Sequence, residues 1–226
     1  MKTLNKYKTV IFDLDGTLLD TLDDLHNAVN HTMDVYGYPH KSREEVRSFV
    51  GNGVDKLIEL CLPDGADDKN LVAAIAEYRR YYNENSQIKT KPYDGVIEVI
   101  DKLISGGINV AVVSNKIHKS TVELCKKYFP RIENVFGERE AEGIRRKPYP
   151  DMVINAAETI GTATHDCVYV GDSEVDVETA ANARMDCILV LWGFRDKDFL
   201  VERGGKKFAS SARELLDLIV NSCDIE

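Results

Sequence analysis

The chain has 226 residues, 43% of them hydrophobic, and a formal net charge of -9. That length is long for one compact domain and short for two full ones, so a core domain carrying a smaller insertion fits it. The acidic balance argues against a nucleic-acid or anionic-membrane surface, and no run approaches the ~18 uninterrupted apolar residues of a membrane span.

The first residues, Met1 to Lys8, are polar and lack the apolar centre of a signal peptide. Cys61, Cys125, Cys167, Cys187 and Cys223 are odd in number and contain no Cys-x-x-Cys, which reads as reduced, mostly buried thiols of a cytoplasmic protein. Val10-Ile11-Phe12 is a short apolar run of β-formers, a buried strand. It ends in Asp13-Leu14-Asp15-Gly16-Thr17-Leu18. Two carboxylates at a strand end are costly to desolvate unless a cation or a proton compensates them. Gly16 suits a turn where the backbone passes close to another group. A solvated Asp-x-Asp-Gly turn is the plainer alternative for this stretch.

After Asp20 the apolar spacing becomes helical. Leu22, Leu25, Ala28, Val29 and Met33 mark one helix, stopped at Gly37-Tyr38-Pro39. Ser42 with Glu45 makes a capping box opening a second helix that runs to about Val50. A third follows the Gly51-Asn52-Gly53 break and stops at Pro63-Asp64-Gly65, and a fourth covers 68–86. Nothing in roughly 20–90 reads as a strand. From Lys91 onward strands and helices alternate. Ile108 to Val113, Val135-Phe136, Cys167 to Val170 and Cys187 to Trp192 read as strands, with a fifth starting at Phe208. The helices between them are 96–103, 118–129, 151–160 and 175–185, with a terminal one over 212–220. Alternation of this kind predicts an α/β fold, a doubly wound parallel sheet with helices on both faces. The expected division is 1–19 and 91–226 for the α/β core and 20–90 for an all-helical cap inserted after the first strand.

Three apolar strands thus end in polar residues: Asp13 and Asp15, then Ser114-Asn115-Lys116, then Asp172. All lie at the carboxyl end of a parallel sheet, where open α/β folds bind ligands. Asp13-Leu-Asp-Gly-Thr-Leu18, Val112-Val-Ser-Asn-Lys116, Lys147-Pro-Tyr-Pro150 and Val170-Gly-Asp-Ser-Glu-Val-Asp176 resemble, in order and spacing, the four motifs of the haloacid dehalogenase-like superfamily. The helical insertion resembles that superfamily's small cap. Phe49-Val-Gly-Asn-Gly53, the Lys147 motif and Leu191-Trp-Gly-Phe-Arg195 resemble its phosphoglycolate phosphatase branch.

The resemblance implies Asp13 as the nucleophile and Asp15 as the acid and base. A carboxylate can attack phosphorus and form an acyl phosphate that water then cleaves. It also implies Mg²⁺, held by Asp13, the backbone carbonyl of Asp15 and Asp172, because an unaided carboxylate repels a dianionic ester. Asp176 would orient the metal's surroundings or Lys147, or merely favour a helix N-terminus. Ser114 and Asn115, with Gly16 and Thr17, would hold phosphoryl oxygens, and Lys147 would offset the carboxylates. Ser114 could equally cap the helix that follows. Gly51, Asn52 and Gly53 are the cap's candidates for substrate contact, or a plain break between helices. One departure concerns Arg184, where the family usually has Gly; Arg184 must accept a left-handed backbone or end its helix differently.

The function so implied is hydrolysis of a small phosphorylated metabolite, phosphoglycolate-like, by a monomer or homodimer with no nucleic-acid or membrane partner. The rivals are a β-phosphoglucomutase-like mutase, an inorganic pyrophosphatase, and a non-catalytic phosphate-responsive binding protein on the same fold.

Overall fold

The computed structural model describes residues 6–63 and 67–220. Cys223, Asp64, Gly65 and the first five residues lie outside that set. Chain order runs β1 (Thr9–Phe12), β2 (Leu19–Asp20), α1 (Leu22–Tyr36), α2 (Arg43–Phe49), α3 (Val54–Cys61), α4 (Asp68–Asn85) and β3 (Lys91–Pro92). It continues with α5 (Val96–Ser105), β4 (Asn109–Ile117), α6 (His118–Tyr128), β5 (Asn134–Glu138), α7 (Asp151–Ile160) and β6 (Cys167–Gly171). The last elements are α8 (Glu174–Ala183), β7 (Asp186–Val190), α9 (Lys197–Glu202), β8 (Phe208–Ala209) and α10 (Ala212–Val220). The α/β architecture expected from the alternation is the one observed.

Two compact units emerge: 1–18 with 92–226, and 19–91. In the first, six parallel strands lie in the order β5-β4-β1-β6-β7-β8. β1 sits between β4 and β6, with Phe12 opposite Val112 on one side and Val170 on the other. Strands buried on both faces carry mostly apolar residues, which is why Val10–Phe12 of β1, Val110–Val113 of β4 and Cys167–Val170 of β6 read as apolar runs. Ile11, Ala111, Val113 and Tyr169 pack against Met152, Val153, Ala156 and Ala157 of α7 and Ala180 and Ala183 of α8. The small alanines let these helices approach the sheet closely.

The strand β4 extends through Ser114, Asn115 and Lys116 to Ile117, further than its apolar run suggests. Its register against β5 shifts there: Val113 faces Phe136, but Ile117 faces Glu138. Four steps on β4 oppose two on β5, an irregularity of the kind that re-aims side chains. β7 stops at Val190, short of Trp192, and α9 was not anticipated. Arg184 does take the left-handed conformation (φ 56°, ψ 42°), and its helix ends with N–H groups turned back to Ala180 and Ala181.

The second unit holds α1 to α4. α2 opens on the capping box, with Glu45 N–H donating to Ser42 Oγ and Ser42 N–H to Glu45 Oε2. Tyr78 and Tyr82, one turn apart on α4, are buried and stack with ring centres 5.5 Å apart. The short strands β2 and β3 pair where the chain enters and leaves this unit. Among the described residues, no helix is long and apolar enough to cross a membrane.

Candidate active site

The carboxyl ends of β1, β4 and β6 are neighbours in the sheet, so the residues that follow them converge. The register makes this unavoidable: Asp13 follows Phe12, and Asp172 lies two residues past Val170, which is Phe12's partner. Carboxylate oxygens of Asp13, Asp172 and Asp176 lie within 4.8 Å of one another, and all three residues are buried. Asp13 N–H continues the ladder by donating to Val170 C=O (2.9 Å).

Each carboxylate is held differently. Asp172 accepts from Phe194 N–H (2.7 Å) and Thr17 Oγ1 (3.1 Å). Asp176 accepts through Oδ2 from the N–H groups of Asp172 and Ser173 and from Ser173 Oγ, and through Oδ1 from Lys147 Nζ (2.7 Å) and Tyr169 OH (3.2 Å). Asp13 has Lys147 Nζ 2.9 Å from Oδ1, but that oxygen has no well-aligned hydrogen bond among the described residues. Gly16 (φ 85°) and Gly193 leave the room this needs, since a Cβ on either would strike the Asp172 carboxylate.

Lys147 is almost wholly buried and bridges Asp13 and Asp176. Its backbone is fixed by Asn115, whose amide donates to Lys147 C=O (3.0 Å) and accepts from Lys147 N–H (2.9 Å). Ser114 Oγ accepts from Lys116 N–H (3.2 Å), and Lys116 Nζ donates to both oxygens of Asp15 (3.0 and 2.9 Å).

Like charges and burial make the cluster electrostatically loaded. Burial, opposed by Lys147 but helped by Asp176 and Asp15, raises the Asp13 carboxyl to about 7. Burial, with Asp176 and Asp13 adding to it, lifts Asp172 well above the usual carboxylate range. Burial also pushes Asp176 upward, but Lys147 and the donors around it outweigh that and hold it low. Burial opposes the charge on Lys147, and the two aspartates overcome it and keep the ammonium protonated. One cation therefore faces three carboxylates, and two of them carry their charge at a cost. An all-oxygen donor set with surplus negative charge and a poorly satisfied Asp13 oxygen fits a hard divalent cation.

Residues 10–190 match the haloacid dehalogenase-like hydrolase family. The chain belongs to that family. A phosphoglycolate phosphatase of Thiobacillus denitrificans is 34% identical over 83% of this chain and 84% of its own length. One from Nitrosospira multiformis is 32% identical over 95% of this chain and 96% of its own. A solved structure from Lactobacillus delbrueckii subsp. bulgaricus, provisionally called a phosphoglycolate phosphatase, superposes with a TM-score of 0.91 at 33% identity. It covers 96% of this chain and 99% of its own.

In this haloacid dehalogenase-like hydrolase the fold brings together Asp13, Lys147, Asp172 and Asp176, with Thr17 tied to Asp172. Asp15 stands beside them, bound to Lys116. Gly51, Asn52 and Gly53 belong to the helical unit, between α2 and α3, where Gly53 caps α3. Sequence reasoning missed three participants. Lys116 was read only as part of a motif, although a lysine three residues past the end of an apolar run was a signal. Tyr169 was read as core, since nothing in an apolar strand announces that its hydroxyl meets Lys147 and Asp176. Phe194 contributes through its backbone N–H, which leaves no mark in side-chain chemistry. The Asn115 amide holds the Lys147 backbone, and the Thr17 hydroxyl donates to Asp172.

Proposed function

We propose that this hydrolase is a Mg²⁺-dependent phosphatase that cleaves a small phosphorylated metabolite of the phosphoglycolate type through an aspartyl phosphate on Asp13. The observation that carries the reading is Asp13: a buried carboxylate with an ammonium 2.9 Å away, beside Asp172 and Asp176, and short of hydrogen-bond donors. The names of the relatives, matched over most of both chains, support the substrate type.

Asp13, Asp172 and the backbone carbonyl of Asp15 would hold the ion, with Asp176 steadying Lys147. Bound there, Mg²⁺ supplies the positive charge that lets a carboxylate and a phosphate dianion coexist. An Asp13 oxygen attacks phosphorus and the ester P–O bond breaks. Asp15 gives its proton to the departing alkoxide. Water then attacks the acyl phosphate and gives a proton to Asp15. The bond between phosphorus and the Asp13 oxygen breaks, releasing inorganic phosphate and restoring both carboxyls. Lys147 neutralises charge on the transferring group. Asn115 positions Lys147 through the backbone, and Ser114 and the N–H groups around Gly16 receive phosphoryl oxygens.

The test is turnover of nitrophenyl phosphate and of a panel of phosphorylated metabolites that includes phosphoglycolate, with Mg²⁺, for wild type and Asp13→Asn. Activity that vanishes in the variant, with inorganic phosphate as product, is expected. Equal rates for the two proteins reject the covalent route, and an isomerised sugar phosphate as product would replace hydrolysis by phosphoryl transfer.

A further inference from the structure

We infer that Lys116 is a positioning residue for the acid–base step, holding the Asp15 carboxylate in its working orientation from the end of β4. The inference rests on the phosphatase reading above and adds a residue to it. A lysine usually keeps its head in water. Here the Lys116 side chain is only 7% exposed, and Nζ lies 2.9 and 3.0 Å from the two oxygens of Asp15, whose side chain is 15% exposed.

The backbone is arranged to deliver that ammonium. β4 loses its register with β5 between Val113 and Ile117, which turns this segment out of the regular alternation. Ser114 Oγ accepts the Lys116 N–H, and Thr121 Oγ1 on α6 donates to the Lys116 C=O (3.2 Å). Lys116 is therefore pinned on both sides of its Cα, and its side chain spans to a residue 101 positions away in sequence. Asp15 follows Asp13 by two residues on a turn closed by Leu18 N–H to Leu14 C=O (3.0 Å). A short carboxylate on a turn has free rotamers unless something holds it. Lys116 supplies the hold with paired charge-assisted hydrogen bonds.

A residue that acts through a general acid leaves a signature that a purely structural one does not. Dinitrophenolate departs without a proton, whereas an alkoxide needs one. Single-turnover phosphorylation by quench flow, with dinitrophenyl phosphate and with phosphoglycolate, therefore separates the two. Lys116→Met is expected to slow the alkyl ester about tenfold or more and the dinitrophenyl ester by less than about twofold. Lys116→Arg is expected to recover part of the loss. In an Asp15→Asn background, Lys116→Met is expected to add less than about a further twofold, because the two residues work as one unit. Equal slowing of both esters, or full additivity with Asp15→Asn, overturns the inference. Should Lys116→Met fail to fold by its melting curve, Lys116→Gln carries the same comparison. No turnover of either ester by wild type instead overturns the phosphatase reading itself.

Discussion

Asp13 and Asp24 are both buried aspartates, and their surroundings are opposite. Asp24, on α1 of the helical unit, is 3% exposed and saturated with donors. Lys89 N–H reaches both of its oxygens at 3.0 Å, and Thr90 N–H and Oγ1 reach Oδ2 at 2.8 Å. Asp13, in the α/β unit, is 8% exposed, adjoins two other carboxylates and has one oxygen without a well-aligned donor among the described residues. A buried charge that is fully hydrogen-bonded anchors a fold, and one left short of partners is available to react or to bind an ion. Other charges of the helical unit lie at its surface. Arg79–Asp55, Arg43–Asp23 and Arg80–Glu84 are exposed pairs of the kind that contribute little.

The largest expected effect breaks this comparison from the Asp13 side. Asp13→Asn should lower turnover by more than about a thousandfold, since nothing else in the cluster can replace the nucleophile. Its unfolding free energy should stay within about 1 kcal/mol of wild type, because one of several crowded like charges is removed. Asp24→Ala should do the reverse. It leaves the buried Thr90 N–H and hydroxyl and the part-buried Lys89 N–H without their acceptor, a cost of about 1–3 kcal/mol. Urea unfolding monitored by circular dichroism measures both. A destabilised Asp13→Asn, or an Asp24→Ala with unaltered stability, would erase the distinction.

How much of this was readable beforehand follows from which physical signals are local. β1, the apolar part of β4, and β6 announce themselves because a strand buried on both faces is built mostly from apolar residues. The convergence of Asp13 and Asp172 needs only the rule that parallel strands share a carboxyl end. The hydrogen-bond partners were not readable. Asn115 reaches Lys147 across 32 positions and Lys116 reaches Asp15 across 101, and no local pattern encodes such pairings. The polar end of β4 was hidden because it is a strand by backbone and a site by side chain. The six-residue α9 is too short for an apolar period to show.

A smaller effect concerns the ion. The metal-free Asp13 carboxyl sits at about 7, above its unfolded value of about 3.9. The folded state therefore holds a proton that the unfolded chain releases, and stability without metal falls as pH rises from about 4 toward 7. Asp172, also raised, pulls in the same direction. Mg²⁺ should thus stabilise more at pH 8, where the Asp13 carboxyl has already released its proton, than at pH 5. At about ten times its dissociation constant it should add about 1.4 kcal/mol at the higher pH. Melting temperatures with Mg²⁺ and with a chelator, at both pH values, measure this. A shift as large at pH 5 as at pH 8 would mean that the ion does not bind the raised carboxylates.

The smallest effect sharpens the contrast by asking whether every unfavourable feature serves the chemistry. Arg184 closes α8 with a left-handed backbone, the only non-glycine positive φ among the described residues. Its side chain is exposed, while its N–H and that of Met185 return to Ala181 (3.1 Å) and Ala180 (2.9 Å). The helix end therefore requires the backbone shape and not the guanidinium. A Cβ in that region costs roughly 1–2 kcal/mol, and glycine gives back part of the gain through its freer unfolded chain. Arg184→Gly should stabilise by about 0.5–1 kcal/mol and raise the melting point by about 1–4 °C, with kcat unchanged. Arg184→Ala, which keeps the Cβ, should yield none of that gain. If alanine stabilised as much as glycine, the left-handed backbone would not be the source of the cost, and the arginine side chain would be.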